Sequence, residues 1–247
     1  MTVFLCSSPT EELNEYHSVP ALYEKNGLVR LLAQRWPEEA RCLMIAADPD
    51  NIPLNEEMTG FYAAAVENSG LPVVCFDLWD GRLPGLSKED FDGYDAVFLA
   101  GGHLPTEWAW FEHIGLKDLL EGYEGLVIGT SAGSMNCAEM VFAWPELEGE
   151  SEDPDYQVFF PGLGLARTNL LPHYQKVKDS WLDGKRLVGE IAAGHSWGRR
   201  FLVVPDGSFV LVENGVETVF GTAWLMQNGE MTPFCGEEEC RVFWGRE

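Results

Sequence analysis

Short apolar runs recur along the first half of the chain, separated by polar stretches. "TVFLC", "CLMIAA", "PVVCFDLW", "AVFLAGG" and "LVIG" are nearly continuous in hydrophobic residues, as strands covered on both faces require. Between the first of them, "ALYEKNGLVRLLAQRW" and "EEMTGFYAAAVENSG" carry apolar residues at helical spacing, which predicts amphipathic helices. Strands alternating with helices predict βαβ units and a mostly parallel sheet. After the acidic stretch "ELEGESEDPDYQ" the pattern changes. "LLPHY" leads to a helix predicted through "KDSWLDGKRLVGEIAAG". Then "RRFLVV", "SFVLVENG" and "VETVFG" read as short strands split by "PDG" and "NG" turns, expected to add antiparallel to one edge of the sheet. No Gly/Ser/Pro-rich linker interrupts residues 1–247, so a single α/β domain is expected.

Composition narrows the function classes. Hydrophobic residues at 46% and aromatics at 12% are enough for a full core and argue against disorder. No long uninterrupted apolar run occurs, so no membrane span is expected. The start, "MTVFLCSSPTEELNEY", lacks a basic leader and soon turns polar; a cytoplasmic protein without a secretory signal is the expectation. Cys6, Cys42 and Cys75 lie in apolar runs and read as reduced core residues. Cys235 and Cys240 are close enough to bridge or to bind metal, but "CGEEEC" brings no histidine; no metal and no cofactor are expected. The formal net charge of −24 would repel phosphates, and no Lys/Arg cluster appears, so nucleic acid is not an expected partner. A solvated acidic surface accounts for the charge; attraction for cationic ligands is the alternative.

The stretch "GLVIGTSAGSMNCAEM" changes character at Ser131. A serine hydroxyl becomes a nucleophile only with a neighbouring base and a place for the oxyanion. G-x-S-x-G supplies the geometry, because Gly129 and Gly133 permit a tight strand-to-helix turn that lifts Oγ above the sheet edge. A plain helix N-cap serine is the competing reading. The preceding strand ends in "FLAGGH", and loops at the carboxyl ends of adjacent parallel strands line one crevice. Gly102 there and Ala132 after the serine are candidate oxyanion donors. Among the histidines, His17 and His113 have no motif around them, and His195 reads as a helix-end loop residue. His103 follows the glycine pair, where a positioning role is expected. His173, behind Pro172, sits at a strand's carboxyl end and is the candidate base. Asp206 in "VVPDG" is the candidate carboxylate to orient the imidazole, although Asp before Gly is also ordinary turn chemistry.

With "GTSAGS", "LLPHY" and "VVPDG" in that order, the chain resembles the dipeptidase E (aspartyl dipeptidase) family of serine peptidases, relatives of the cyanophycinases, over most of its length. The resemblance implies a flavodoxin-like, class I glutamine-amidotransferase-like three-layer sandwich with a mostly parallel sheet and antiparallel C-terminal edge strands. It implies Ser131 as nucleophile, His173 as base, Asp206 as acid, and Gly102 and Ala132 as oxyanion donors. The order Ser, His, acid differs from that of α/β-hydrolases. The chain reads "SAGSM" where the family often has "SAGAN", and "AGGHLPTE" where it often has "GGGNT". The "GETR" stretch linked to recognition of an N-terminal aspartate is absent, and "LDGKRL" lies in a similar place. His103, Arg167 and Arg186 are the candidate substrate-binding residues, with Lys185 an alternative to Arg186. The implied partner is a short peptide substrate, with a homodimer left open. Two other readings stand beside serine dipeptide hydrolysis. One is a cyanophycinase-like isopeptide hydrolase, whose cationic substrate suits the acidic surface. The other is a non-catalytic amidotransferase-like ligand-binding module.

Overall fold

The computed structural model describes residues 1–13 and 19–245; His17 lies outside them. The five apolar runs become β1 (Thr2–Cys6), β2 (Ala40–Ile45), β3 (Val73–Trp79), β4 (Ala96–Leu99) and β5 (Leu126–Thr130). They pair in parallel in the order β1-β5-β4-β2-β3. Side chains alternate across the sheet, as the two-residue period demands. Phe4 and Cys6 of β1, with Cys42 and Met44 of β2, pack on α1 (Leu28–Ala33) and α2 (Ile52–Asn68). Val3 and Leu5, with Leu43 and Ile45, pack on α3 (Lys88–Asp92), α4 (Leu104–His113) and α5 (Leu116–Leu120). The result is the α/β sandwich expected from the flavodoxin-like, amidotransferase-like resemblance. No helix among the described residues is long and apolar enough to cross a membrane.

The structure departs from the expected pattern in three places. The helix predicted over 21–36 shrinks to a short turn and α1, because Asn26 and Gly27 take left-handed backbone at φ 59 and 78. The Asn26 amide is used elsewhere: it donates to Gly207 O at 2.7 Å and accepts from Glu238 N at 2.9 Å. Downstream of β6 (Met140–Phe142), β7 (Phe159–Pro161), β8 (Asn169–Leu171) and the one-turn α6 (Ala132–Asn136) and α7 (Tyr174–Val177), the helix predicted through 178–194 forms only in its second half, as a π-helical segment Leu187–Ala192 continued by α8 (Ala193–His195). Its start forms a hairpin of β9 (Trp181–Leu182) and β10 (Lys185–Arg186). Asp183 and Gly184 turn the hairpin at φ 50 and 76, a two-residue loop of the kind Asp-Gly favours. The edge strands also divide. β12 (Phe209–Glu213), β13 (Val216–Phe220) and β16 (Cys240–Trp244) extend the main sheet antiparallel beside β1. β11 (Arg200–Val203), expected there too, instead joins β8, β14 (Ala223–Gln227) and β15 (Glu230–Cys235) in a separate sheet. That sheet is covered on both sides: Leu170 and Leu202 join the main core, while Leu171, Phe201 and Val203 face a second cluster with Phe142 and Phe160.

Candidate active site

The carboxyl ends of β1 and β5 lie side by side, with Cys6 opposite Thr130, and Ser131 follows at once. Its backbone sits at φ 51, ψ −114, a conformation that costs a non-glycine residue about 1–3 kcal/mol. The strain is held in place locally: Ser131 N donates to Cys6 O and Ser7 O at 3.0 and 3.1 Å, and Ser131 O accepts from Met135 N at 3.0 Å. The turn is tight enough to require its glycines. A Cβ on Gly133 would lie 2.5 Å from Leu99 O and 2.6 Å from Ala100 O, and one on Gly129 would lie 2.8 Å from Ser134 N.

Ser131 Oγ lies 2.9 Å from His173 Nε2, and His173 Nδ1 lies 2.6 Å from Asp206 Oδ1. An ionised carboxylate only accepts, so in the neutral imidazole Nδ1 carries the proton and Nε2 accepts from the serine hydroxyl. His173 follows β8 in left-handed backbone, φ 57. Asp206 follows β11, in a turn closed by Gly207 at φ 81. Because β8 and β11 run parallel as neighbours, the second sheet delivers both residues to one end. The Asp206 side chain is 5% exposed. It accepts from Ser7 Oγ at 2.7 Å, from Gln175 Nε2 at 2.5 Å and from Lys176 Nζ at 3.1 Å. Burial alone would raise its pKa. The hydrogen bond and charge of His173, with the bonds from Ser7 and Lys176, outweigh burial and hold the carboxyl well below the usual range.

Ser7 was missed in the sequence. It is fully buried, donates to Asp206 and accepts from His173 N at 2.7 Å. One hydroxyl thus ties the histidine backbone to the carboxylate. Its only signal is position, directly after the β1 run at the carboxyl end of the sheet.

The loop after β4 stands against the serine. A Cβ on Gly101 would lie 3.1 Å from Ser131 Cβ, and one on Gly102 would lie 2.7 Å from Ala47 Cβ. Ala132, buried behind Ser131, opens α6. His103 begins α4 and is engaged on both nitrogens, with Thr106 Oγ1 at 2.8 Å and Glu150 Oε1 at 2.9 Å. Glu150 belongs to the acidic stretch after Trp144. It also accepts from Glu146 N and Leu147 N at 2.8 and 2.9 Å, while Asp183 of the β9–β10 turn accepts from Gly149 N and Ser151 N at 2.8 and 3.0 Å. The acidic stretch is therefore anchored both to the residue after the glycine pair and to the hairpin. Arg167 is not brought to the serine. Its guanidinium lies over Trp244 and donates to Gly245 O at 2.7 Å, and its backbone N–H donates to Glu217, toward the opposite end of the sheet. Arg186 is exposed and donates to Glu190 at 3.1 Å. His113 stacks on Trp110, and His195 lies against Phe142. All six cysteines are unpaired, Cys240 exposed and Cys75 half-buried.

No family model matches the chain. Over 113 residues, 44% of this chain and 24% of the relative, it is 31% identical to a D-inositol 3-phosphate glycosyltransferase of Corynebacterium kroppenstedtii. Over 112 residues it is 33% identical to the enzyme of the same name from Corynebacterium diphtheriae, covering 44% and 25%. The match thus spans only about a quarter of the length of these curated relatives. Among solved structures, a peptidase from an acI-B1 actinobacterium superposes with a TM-score of 0.64 at 14% identity, covering 98% of this chain and 96% of that one. A protein described as a candidate peptidase E from Listeria monocytogenes EGD-e superposes with a TM-score of 0.54 at 15% identity, covering 94% and 97%. Over nearly its whole length, this chain has the α/β fold of these two structures.

Proposed function

We propose that the chain is a serine-type peptidase of the dipeptidase E kind, hydrolysing short peptides through Ser131, His173 and Asp206. The observation that carries this is the unbroken relay of 2.9 and 2.6 Å between side chains 42 and 33 residues apart in sequence, ending on a serine held in strained backbone. Packing alone has no use for such strain. In the reaction, His173 takes the Ser131 proton as Oγ attacks the peptide carbonyl. The backbone N–H groups of Ala132 and Gly102 hold the oxyanion, and Asp206 stabilises the imidazolium. His173 then protonates the leaving amine, and water, deprotonated by the same imidazole, releases the acyl group.

The fold of the two peptidases supports the same reading, and peptide hydrolysis is what the first of them is named for. The likeness to glycosyltransferases covers less than half of the chain and offers no use for the relay. The test is labelling with a serine-directed phosphonate, followed by mass spectrometry of the Ser131 peptide, together with turnover of a short-peptide panel. Ser131→Ala should abolish both, since loss of a serine nucleophile costs on the order of 10⁶-fold in kcat in a well-studied protease. A folded protein whose Ser131 stays unlabelled, or a Ser131→Ala variant within about tenfold of the parent, overturns the proposal and leaves the ligand-binding module.

A further inference from the structure

Gly101 and Gly102 have a second side. Behind them, away from Ser131, lies a cavity of about 240 Å³ at the carboxyl ends of β2 and β4. Its large apolar lining residues are Met44 from β2, Leu78 from β3, and Leu54 and Met58 from α2. Leu54 is 46% exposed, so an apolar side chain of the lining reaches solvent at the mouth. An apolar cavity of roughly 150 Å³ already holds a benzene molecule, so this one has room for a large aliphatic or aromatic side chain.

Its place relative to the nucleophile matters more than its size. The Cβ position of Gly101 is 3.1 Å from Ser131 Cβ, so the serine and the cavity are separated by the width of one glycine. Gly102 lines the cavity and is also the proposed oxyanion donor, so a peptide whose carbonyl oxygen is held by Gly102 is brought beside it.

The lining also says which side chain is welcome. No lysine or arginine is among the described residues that line it; Asp48 is, with Asn51, Asn55 and Thr106 as neutral polar groups. His103, the other ionisable group there, has its Nε2 committed to Glu150. A carboxylate entering would lose its water, meet no counter-charge and face Asp48. An apolar side chain would lose only unfavourable hydration, and the two flexible methionines can fit themselves to its shape.

We propose that this cavity is the specificity subsite for a residue flanking the scissile bond, and that it takes an uncharged apolar side chain of leucine, methionine or phenylalanine size, rejecting aspartate. The inference rests on the peptidase reading. It makes the chain a dipeptidase E-like enzyme with a preference unlike the aspartyl one, in keeping with the missing "GETR" stretch.

The experiment measures kcat/KM for dipeptides carrying Leu, Met, Phe, Gly, Asp or Arg at each of the two positions in turn, with Ser131 phosphonate labelling run in parallel. At one of the positions, Leu, Met or Phe should exceed Gly and Asp by roughly 10²-fold, the scale set by methylenes in a fitted pocket. Met58→Trp, which fills the cavity, should lower the Leu-to-Gly ratio by roughly the same factor. Leu54→Arg, at the exposed mouth where folding is little affected, should raise the Asp-to-Leu ratio by about tenfold. A flat panel, a preference for Asp or Arg, or ratios unmoved by both variants overturns the subsite while labelled Ser131 keeps the peptidase. Unlabelled Ser131 with no hydrolysis overturns both.

Discussion

Replacing Ser7 by alanine removes one buried oxygen and disturbs two members of the relay. The hydroxyl donates to Asp206 Oδ1 at 2.7 Å and accepts from His173 N at 2.7 Å. A hydrogen bond to a charged group contributes about 1.5–3 kcal/mol, and a buried N–H left without a partner costs about 1–3 kcal/mol. Ser7 is 0% exposed, so water has little room to replace it. The sum for Ser7→Ala is about 4 kcal/mol of stability, near the middle of those ranges. For a chain of this size, that lowers Tm by about 10 °C. Activity should suffer separately. His173 is in left-handed backbone at φ 57, and freeing its N–H allows the ring to drift from Ser131. A misplacement of about 1 Å costs roughly 10²-fold in rate, so kcat should fall by about that factor with KM little changed. The assays are thermal unfolding, peptide turnover and the rate of phosphonate labelling. Ser8→Ala is the control, because among the described residues the Ser8 hydroxyl bonds only within its own turn, to Thr10 O at 3.1 Å and alongside Thr10 Oγ1. A Ser7→Ala protein with kcat and labelling rate within about threefold of the parent, well short of the expected loss, would show that Ser7 does not hold the histidine.

Four further outcomes can be measured. Gly133→Ala forces a Cβ to within 2.5 Å of Leu99 O, a backbone atom that cannot retreat without opening β4. It should abolish labelling and cost more than about 3 kcal/mol, above the usual overpacking range; a folded, reactive variant would refute the elbow geometry. Gly60→Ala, inside α2 with nothing within 4 Å of the new Cβ, should instead raise stability by about 0.5–1 kcal/mol, read as a higher urea midpoint. Asp206→Asn should reduce kcat by about 10⁴-fold. It should also flatten the acid side of the stability profile: a carboxyl held below its ordinary 3.8 stabilises the fold above that pH and loses the contribution as pH falls through the folded value.

Glu107 gives the opposite sign. It is fully buried and accepts from Asn136 Nδ2 at 2.9 Å, while its Oε1 and the Asn136 Oδ1 are buried without partners among the described residues. Burial pushes its pKa well above the ordinary 4.5. The folded protein then holds a proton that the unfolded chain releases as pH rises past that value, so stability falls with pH. Glu107→Gln should reduce this slope in unfolding measurements at pH 5 and above. Glu146, which burial shifts in the same direction, adds to the slope with the same sign. An unchanged slope would mean that Glu107 is ionised in the folded state.

The chain's local patterns carried the first half of the fold. β1 to β5 are apolar because helices cover both faces of the sheet, and that demand is written into each run separately. The serine elbow was legible for the same reason: strand, small residues and helix are contiguous, and the steric need for Gly129 and Gly133 lies mostly within a few residues and the adjoining strand. Misreadings came where a local signal had two meanings. Trp181, Leu182, Leu187, Val188 and Ile191 fit helical spacing, yet the Asp183–Gly184 turn makes the first part a hairpin.

Tertiary structure alone decided the rest. The pairing of β11 with β8 rather than with the main sheet depends on segments about 30 residues apart in sequence, and no run of apolar residues encodes its partner. That pairing brings His173 and Asp206 together, sends Arg167 toward the far end, and sets both catalytic candidates over Ser7. Periodicity reports which face of an element is buried, because burial acts residue by residue. It is silent on which side chains meet, because hydrogen bonds such as those of Ser7 form only after distant strands have closed into one sheet edge.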